Sequence, residues 1–195
     1  AQDVLPCIAC HHCTNLLELN DVVACAANPH STYERRRKIL PVKKGRKVMV
    51  VGGGPAGMHA ARILARQGHQ VSLFERSGEL GGQMGYSSRV ADDYGYLVTY
   101  LTHMMDKLKV DVRLNTTVER KTVEAFAPDA VVIATGARGG INFWPMVGNP
   151  NVFDLFSALD RPDDDWEDKV VITTGESHEC FLALYIAGRG AEVYI

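Results

Sequence analysis

Four of the five cysteines, Cys7, Cys10, Cys13 and Cys25, stand in the first 25 residues, and Cys180 stands alone. Thiols grouped this closely either pair as disulfides or bind metal. A disulfide framework spreads its cysteines over the domain that it staples. The opening run Ala1 to Pro6 also lacks the basic and apolar regions of a secretory leader, so a metal centre is the better reading. The spacing Cys7-x2-Cys10-x2-Cys13, with Cys25 after eleven more residues, suits a [4Fe–4S] cluster. A triplet on one loop supplies three corners and a more distant residue the fourth. Zinc is the competitor, since His11 and His12 are at hand, but zinc favours two separated donor pairs and the third equally spaced cysteine is awkward for it. The two histidines read as bystanders or as donors to the sulfur ligands. Cys180 reads as a small buried apolar residue.

A second pattern able to do chemistry is Val51-Gly52-Gly53-Gly54-Pro55-Ala56-Gly57. Gly52, Gly54 and Gly57 form a GxGxxG fingerprint, and Glu75 follows 23 residues after Gly52. Each part has a physical task. Gly52 permits the tight turn, Gly54 lets a pyrophosphate approach the backbone, and Gly57 lets helix and strand pack closely. The helix that opens at Pro55 and Ala56 offers unpaired N–H groups and the positive end of its dipole to the phosphates. Glu75 accepts hydrogen bonds from the adenosine ribose, and its charge disfavours a 2′-phosphate. Leu80-Gly81-Gly82-Gln83 and Ala134-Thr135-Gly136 are two more places where backbone can approach a long dinucleotide. These residues leave flavin and nicotinamide dinucleotides both open.

The elements that must position these residues follow from periodicity. Residues 1–33 form a cysteine-bearing segment with little periodicity, and residues 34–46 form a basic linker containing Pro41 and Gly45. No aromatic residues interleave its charges, so it reads as solvated rather than as a nucleic-acid surface. From 47 to 140 strands and helices alternate. Strands are expected at Val48–Val51, Val71–Glu75, Val110–Leu114 and Ala130–Ala134, and helices at about Pro55–Gln67, stopped by Gly68, and Asp92–Lys109. Met104 and Met105 read as core. The order is that of an α/β domain with a Rossmann-like parallel sheet. Residues 141–195 hold a loop with Trp144-Pro145 and Gly148-Asn149-Pro150, an acidic stretch Asp160–Asp168, and one βαβ unit: strand Val170–Thr173, helix His178–Ala187, strand Ala191–Ile195. One such unit cannot cover both faces of a parallel sheet, so this second domain reads as truncated. A net charge of −2 suggests no polyanionic partner, and no apolar run approaches the roughly 20 residues needed to cross a bilayer. The expectation is a soluble cytoplasmic protein, free of nucleic acid and membrane, and a homo-oligomer.

The cysteine segment with Cys25-Ala26-Ala27-Asn28-Pro29, the loop Gly52–Gly57, Glu75, Leu80–Gln83 and Ala134–Gly136 together resemble the iron–sulfur flavoproteins related to 2,4-dienoyl-CoA reductase and trimethylamine dehydrogenase. The resemblance runs in order over nearly the whole chain. It implies that Cys7, Cys10, Cys13 and Cys25 ligate a [4Fe–4S] cluster. It also implies that Gly52, Gly54, Pro55, Ala56, Gly57, Glu75 and Arg76 hold the ADP part of FAD, or ADP itself, with Gly81, Gly82, Gln83, Ala134, Thr135 and Gly136 near the nucleotide. Members join these parts to an FMN-binding barrel that carries the substrate site. That barrel has no counterpart here, so no catalytic residue is nominated. The turn Thr173 to Glu179 has one glycine, Gly175, where a nicotinamide-binding turn wants several, and Glu176 would sit badly beside a pyrophosphate. This weakens the branch fed by NAD(P)H and favours one that passes electrons to a protein acceptor. Ser177-His178-Glu179 is no hydrolase triad, because adjacent helical residues point in different directions. Two other readings stand beside this one: a glutamate synthase small-subunit type of reductase, and a nucleotide-binding structural module with a zinc-stapled N-terminus.

Overall fold

The computed structural model describes residues 3–137, 151–161, 166, 169–173 and 177–195. The Trp144 and Gly148–Pro150 loop, Gly175, Glu176 and most of the acidic stretch lie outside the described residues. The chain divides into two compact units, Ala1–Gly85 with Asp93–Gly136, and Tyr86–Asp92 with Ala137–Ile195.

The first unit is the expected parallel α/β sheet. Its strands are β1 (Lys47–Val51), β2 (Gln70–Phe74), β3 (Asp111–Arg113) and β4 (Ala130–Ile133), in the order β3-β2-β1-β4. Every pairing is parallel, with Val48 opposite Val71 on one side and Ala130 on the other. β1 forms a buried core strand because Val48, Met49 and Val50 carry no polar atoms beyond the backbone. Burying side chains of this size contributes roughly 1.5–3 kcal/mol each. Ser72 is the buried polar member of β2, and its hydroxyl donates to Asp111 Oδ2 at 2.9 Å. Val131 and Ile133 share one face of β4 and stay 40% and 77% exposed.

α1 (His12–Glu18) precedes the sheet; α2 (Pro55–Arg66), α3 (Gln83–Ser87), α4 (Asp92–Lys107) and α5 (Arg120–Phe126) connect its strands. α2 begins with proline at its first position, as the fixed φ of that ring favours. It buries Gly57, Met58, Ala61 and Arg62. α4 buries Leu97, Leu101, Met104 and Met105, as its helical spacing requires. It ends two residues before the expected Lys109, because Lys109 turns left-handed at φ 54° and the Val110 N–H bonds back to the Met105 carbonyl at 2.9 Å.

The second unit contains α6 (Leu155–Leu159), β5 (Lys169–Val171), α7 (Ser177–Ala187) and β6 (Glu192–Tyr194), with β5 and β6 parallel. Its core joins Ala158, Leu159, Ile172, Leu182, Ala183 and Ile186, and Tyr86 and Val90 pack on it from far upstream. Arg89 holds the same strap by donating to the Leu159 carbonyl at 2.9 Å. Cys180 corrects an expectation: it is exposed, on the side of α7 that carries exposed Leu184, opposite buried Leu182, Ala183 and Ile186. No helix among the described residues is long and apolar enough to cross a membrane.

Candidate functional site

The glycine loop lies where β1 ends and α2 begins, at the carboxyl edge of the sheet. β4 lies on one side of β1 and β2 on the other, so this is the point where strand order reverses and a parallel sheet opens a crevice. A Cβ on Gly52 would come within 2.2 Å of the Ala134 carbonyl oxygen, and Gly52 already sits at φ 109°. A Cβ on Gly57 would lie 1.9 Å from the Gly52 carbonyl oxygen. These two glycines therefore lock α2 against the turn and against β4. Gly54 differs, since a Cβ there meets nothing within 4 Å. It occupies the cap position of α2 and supplies no side chain to its first N–H groups. The result is a helix N-terminus with free donors and open space in front of it, which suits a phosphate.

Glu75 follows β2 and turns its carboxylate back over this loop. Its Oε2 accepts from the Gly53 N–H at 2.6 Å, and its Oε1 accepts from the Ser77 N–H at 2.8 Å and from the Ser77 hydroxyl at 2.9 Å. Burial pulls the carboxyl upward, but the bonds from Ser77 and Gly53, with Arg76 nearby, outweigh it and hold Glu75 below the usual carboxylate range. A carboxylate offers about four lone-pair sites, so acceptor capacity remains for sugar hydroxyls. The Gly81 N–H donates to the Gly53 carbonyl at 2.9 Å, and a Cβ on Gly82 would reach to 3.2 Å from Gly54 Cα. The loop Leu80–Gln83 thus closes over the fingerprint. The Ala134 N–H continues the sheet to the Val51 carbonyl at 2.8 Å, and Gly136 follows at φ 75° with open space around it. Ala56, Arg76, Gln83 and Thr135 are exposed along the same edge of the fold. A separate cavity of about 480 Å³ lies at the opposite, amino ends of the strands, lined by Lys47, His69, Lys109 and Asp111 among others, and none of these motif residues borders it.

The cysteine segment has its own geometry. Cys7, Cys10, Cys13 and Cys25 are all free thiols. Cys7 Sγ and Cys25 Sγ each take a backbone N–H, from Ala9 and from Asn28, both at 3.4 Å. Each Cys-x2-Cys interval holds one left-handed residue, Ala9 at φ 50° and His11 at φ 56°. Such backbone costs about 1–2 kcal/mol per residue, and strain of this kind gathers at ligand clamps. Among the described residues, no three His, Cys, Asp or Glu side chains gather as ligands of a single metal ion.

Two residues on α2 escaped the sequence reading. His59 has both ring nitrogens buried without a hydrogen-bond partner, and so does Arg62 at its Nε. Burial, and then the charge of Arg62, hold His59 down to about 4, against a pull from the backbone of Ala27. In the sequence both residues look like ordinary polar positions of an amphipathic helix.

Residues 47–137 match the family described as FAD dependent oxidoreductase. A bilirubin reductase from Mediterraneibacter gnavus is 37% identical over 80% of this chain and 25% of its own length. A cinnamate reductase from Clostridium sporogenes is 33% identical over 98% of this chain and 29% of its own length. The solved structure of a 2-naphthoyl-CoA reductase superposes with a TM-score of 0.89 at 32% identity, covering 98% of this chain and 30% of that one. The chain belongs to the iron–sulfur flavoprotein family.

The match is to the C-terminal portion of that family, and the chain spans 25% and 29% of the two curated relatives. For the FAD of this family, the open space at Gly54, the uncapped start of α2 and the anchored Glu75 make a fitting seat for the ADP part. For the cluster, the donor chemistry fits: four free thiols, two of them already receiving N–H groups that ease negative charge on sulfur. A zinc ion needs its donors about 2.0–2.3 Å from one centre, whereas a cubane takes thiolates at four separate corners. Among the described residues the thiols do not gather around one centre as zinc requires.

Proposed function

We propose that this chain is the electron-transfer portion of a flavoprotein oxidoreductase, relaying electrons between an FMN-bearing barrel and FAD or an external acceptor through a [4Fe–4S] cluster. The observation that carries the reading is the open, uncapped N-terminus of α2 beside an anchored Glu75. Gly54 and Ala56 present backbone N–H groups, and Gly54 gives approach room, to a pyrophosphate at the helix start that Pro55 fixes. Glu75 holds the adenosine ribose and rejects a 2′-phosphate by charge. Gly81, Gly82 and Gly136 let backbone approach the rest of the dinucleotide. Cys7, Cys10, Cys13 and Cys25 hold the irons, with Ala9 and Asn28 donating to two of the sulfurs. When bound, flavin supplies two-electron chemistry and the cluster supplies one-electron steps. The protein's own share is binding, orientation and charge.

Two directions of electron flow each have support. The names of the two relatives, both reductases, favour a full-length protein that delivers electrons to a small-molecule substrate. The glycine-poor sequence Thr173 to Glu179 favours delivery to a protein acceptor instead. Denaturing anaerobically purified full-length protein, then identifying its adenine nucleotide and assaying metal and acid-labile sulfide, separates them. FAD with about four irons and four sulfides per chain is the expected result. ADP without FAD makes the nucleotide domain a redox-silent scaffold and favours the protein acceptor. Zinc, or no metal, overturns the relay.

A further inference from the structure

Arg62 carries a cationic guanidinium and is 6% exposed. One guanidinium nitrogen donates to the Tyr100 hydroxyl at 3.2 Å, which is a neutral partner. Its Nε has no partner, and among the described residues no carboxylate pairs with it. An unpaired buried charge is strongly unfavourable, and native proteins avoid it. One turn earlier on the same helix, the two ring nitrogens of His59 are also buried and unsatisfied. His59 lies beside the backbone of Ala27 and feels His30, on the stretch that follows Cys25. Two orphaned donors and one orphaned acceptor therefore lie within one turn of α2, with His59 beside this stretch. No residue of the nucleotide seat uses them.

Resting on the cluster reading above, we infer that the buried cationic Arg62, one turn along α2 from the His59 that lies beside the Cys25–His30 stretch, is set to offset the negative charge of a four-thiolate cluster. Four thiolates outweigh the positive charge of the iron–sulfide core, so the site stays anionic and becomes more so when it takes one electron from reduced flavin. A fixed positive charge nearby favours the reduced form. The levers on cluster potential are net charge, hydrogen bonds to sulfur and burial, and Arg62 supplies the first. At about 10 Å and an effective dielectric of about 20, one full charge shifts a one-electron equilibrium roughly tenfold. Arg62 is a positioning residue in this scheme: it biases the cluster without touching flavin or substrate.

The test is a redox titration of the cluster, followed by electron paramagnetic resonance, in the full-length holoprotein. Arg62→Gln removes the charge and is expected to lower the reduction equilibrium constant about tenfold, a shift of 59 mV to more negative potential. Arg62→Lys keeps the charge and should bring the potential back toward wild type. If Arg62→Gln fails to fold, His59→Glu asks the same question. A carboxylate three residues before an arginine on one helix face pairs with it, so this variant neutralises Arg62 while satisfying it, and the same negative shift is expected. An unchanged potential in a folded variant with its full iron overturns the inference, as does an Arg62→Lys protein as low as Arg62→Gln. Wild-type protein without iron and sulfide overturns the cluster reading as well, so the two failures are distinct.

Discussion

Gly54 and Gly57 are three residues apart in one fingerprint, and their surroundings give them opposite tasks. A methyl group at Gly57 would overlap the Gly52 carbonyl at 1.9 Å, with the rigid Ala134 Cβ 3.4 Å away and nothing that can yield cheaply. Gly57→Ala should therefore destabilise the first unit by about 3 kcal/mol, the upper range of overpacking. Denaturant unfolding would show it with or without nucleotide. A methyl at Gly54 meets open space, so Gly54→Ala should cost at most about 1 kcal/mol in the free protein while weakening FAD or ADP binding at least tenfold. Isothermal titration with ADP reads the second effect. Equal losses of stability in the two variants would sink the distinction. His59 and Arg62 show the reverse case, in which polar residues on a buried flank carry the unusual feature and no spacing rule marks them.

At the scale of elements, α6 shows how a short helix is fixed by its start. Asp154 accepts from the Phe156 and Ser157 N–H groups at 2.9 and 3.0 Å, satisfying two donors that no helical carbonyl can reach. Asp154→Ala should cost about 1 kcal/mol and lower the midpoint of thermal unfolding by about 2–4 °C. Asp154→Ser should recover most of it, and scanning calorimetry would distinguish the two. This cap also explains what the sequence left hidden. β1, β2, α2 and α4 were legible because long apolar periodicities and glycine stops mark them. The glycine fingerprint was legible because its context of strand, turn, helix and acidic residue is itself a local pattern. α1, α3, α5 and α6 run for only five to seven residues, too short for any period to repeat. α1 buries no residue at all, so no apolar stripe announces it. The exposure of Cys180 was hidden for a related reason: α7 is apolar on nearly every side, so its sequence does not say which face turns inward.

For the whole molecule, the important fact is that the second unit is discontinuous. Tyr86 to Asp92 leave the first unit, join the second, and return at Asp93, one residue into α4. Tyr86 and Val90 pack on the core of Leu159, Ile172 and Ile186, and Tyr86 meets the Phe156 ring edge-on at 5.7 Å. A chain stopped after Gly136 would keep this strap and lose everything that covers it. Such a protein is expected to bind hydrophobic dyes and scatter light, and the double change Tyr86→Gln with Val90→Ser should restore a monodisperse species. A clean, dye-silent truncation without those changes would show that the strap can settle elsewhere.

The same strap restricts how these two units can be traded between relatives over evolutionary time. A single recombination breakpoint near residue 137 would transfer the C-terminal portion of the second unit but leave its strap behind in the recipient, facing a core that it did not evolve to fit. Successful exchange would need a second, simultaneous breakpoint pair around residues 86–92, or a recipient whose Tyr86 and Val90 already match. The two units are therefore expected to share one line of descent along this chain, and their sequence drift should be correlated across the strap.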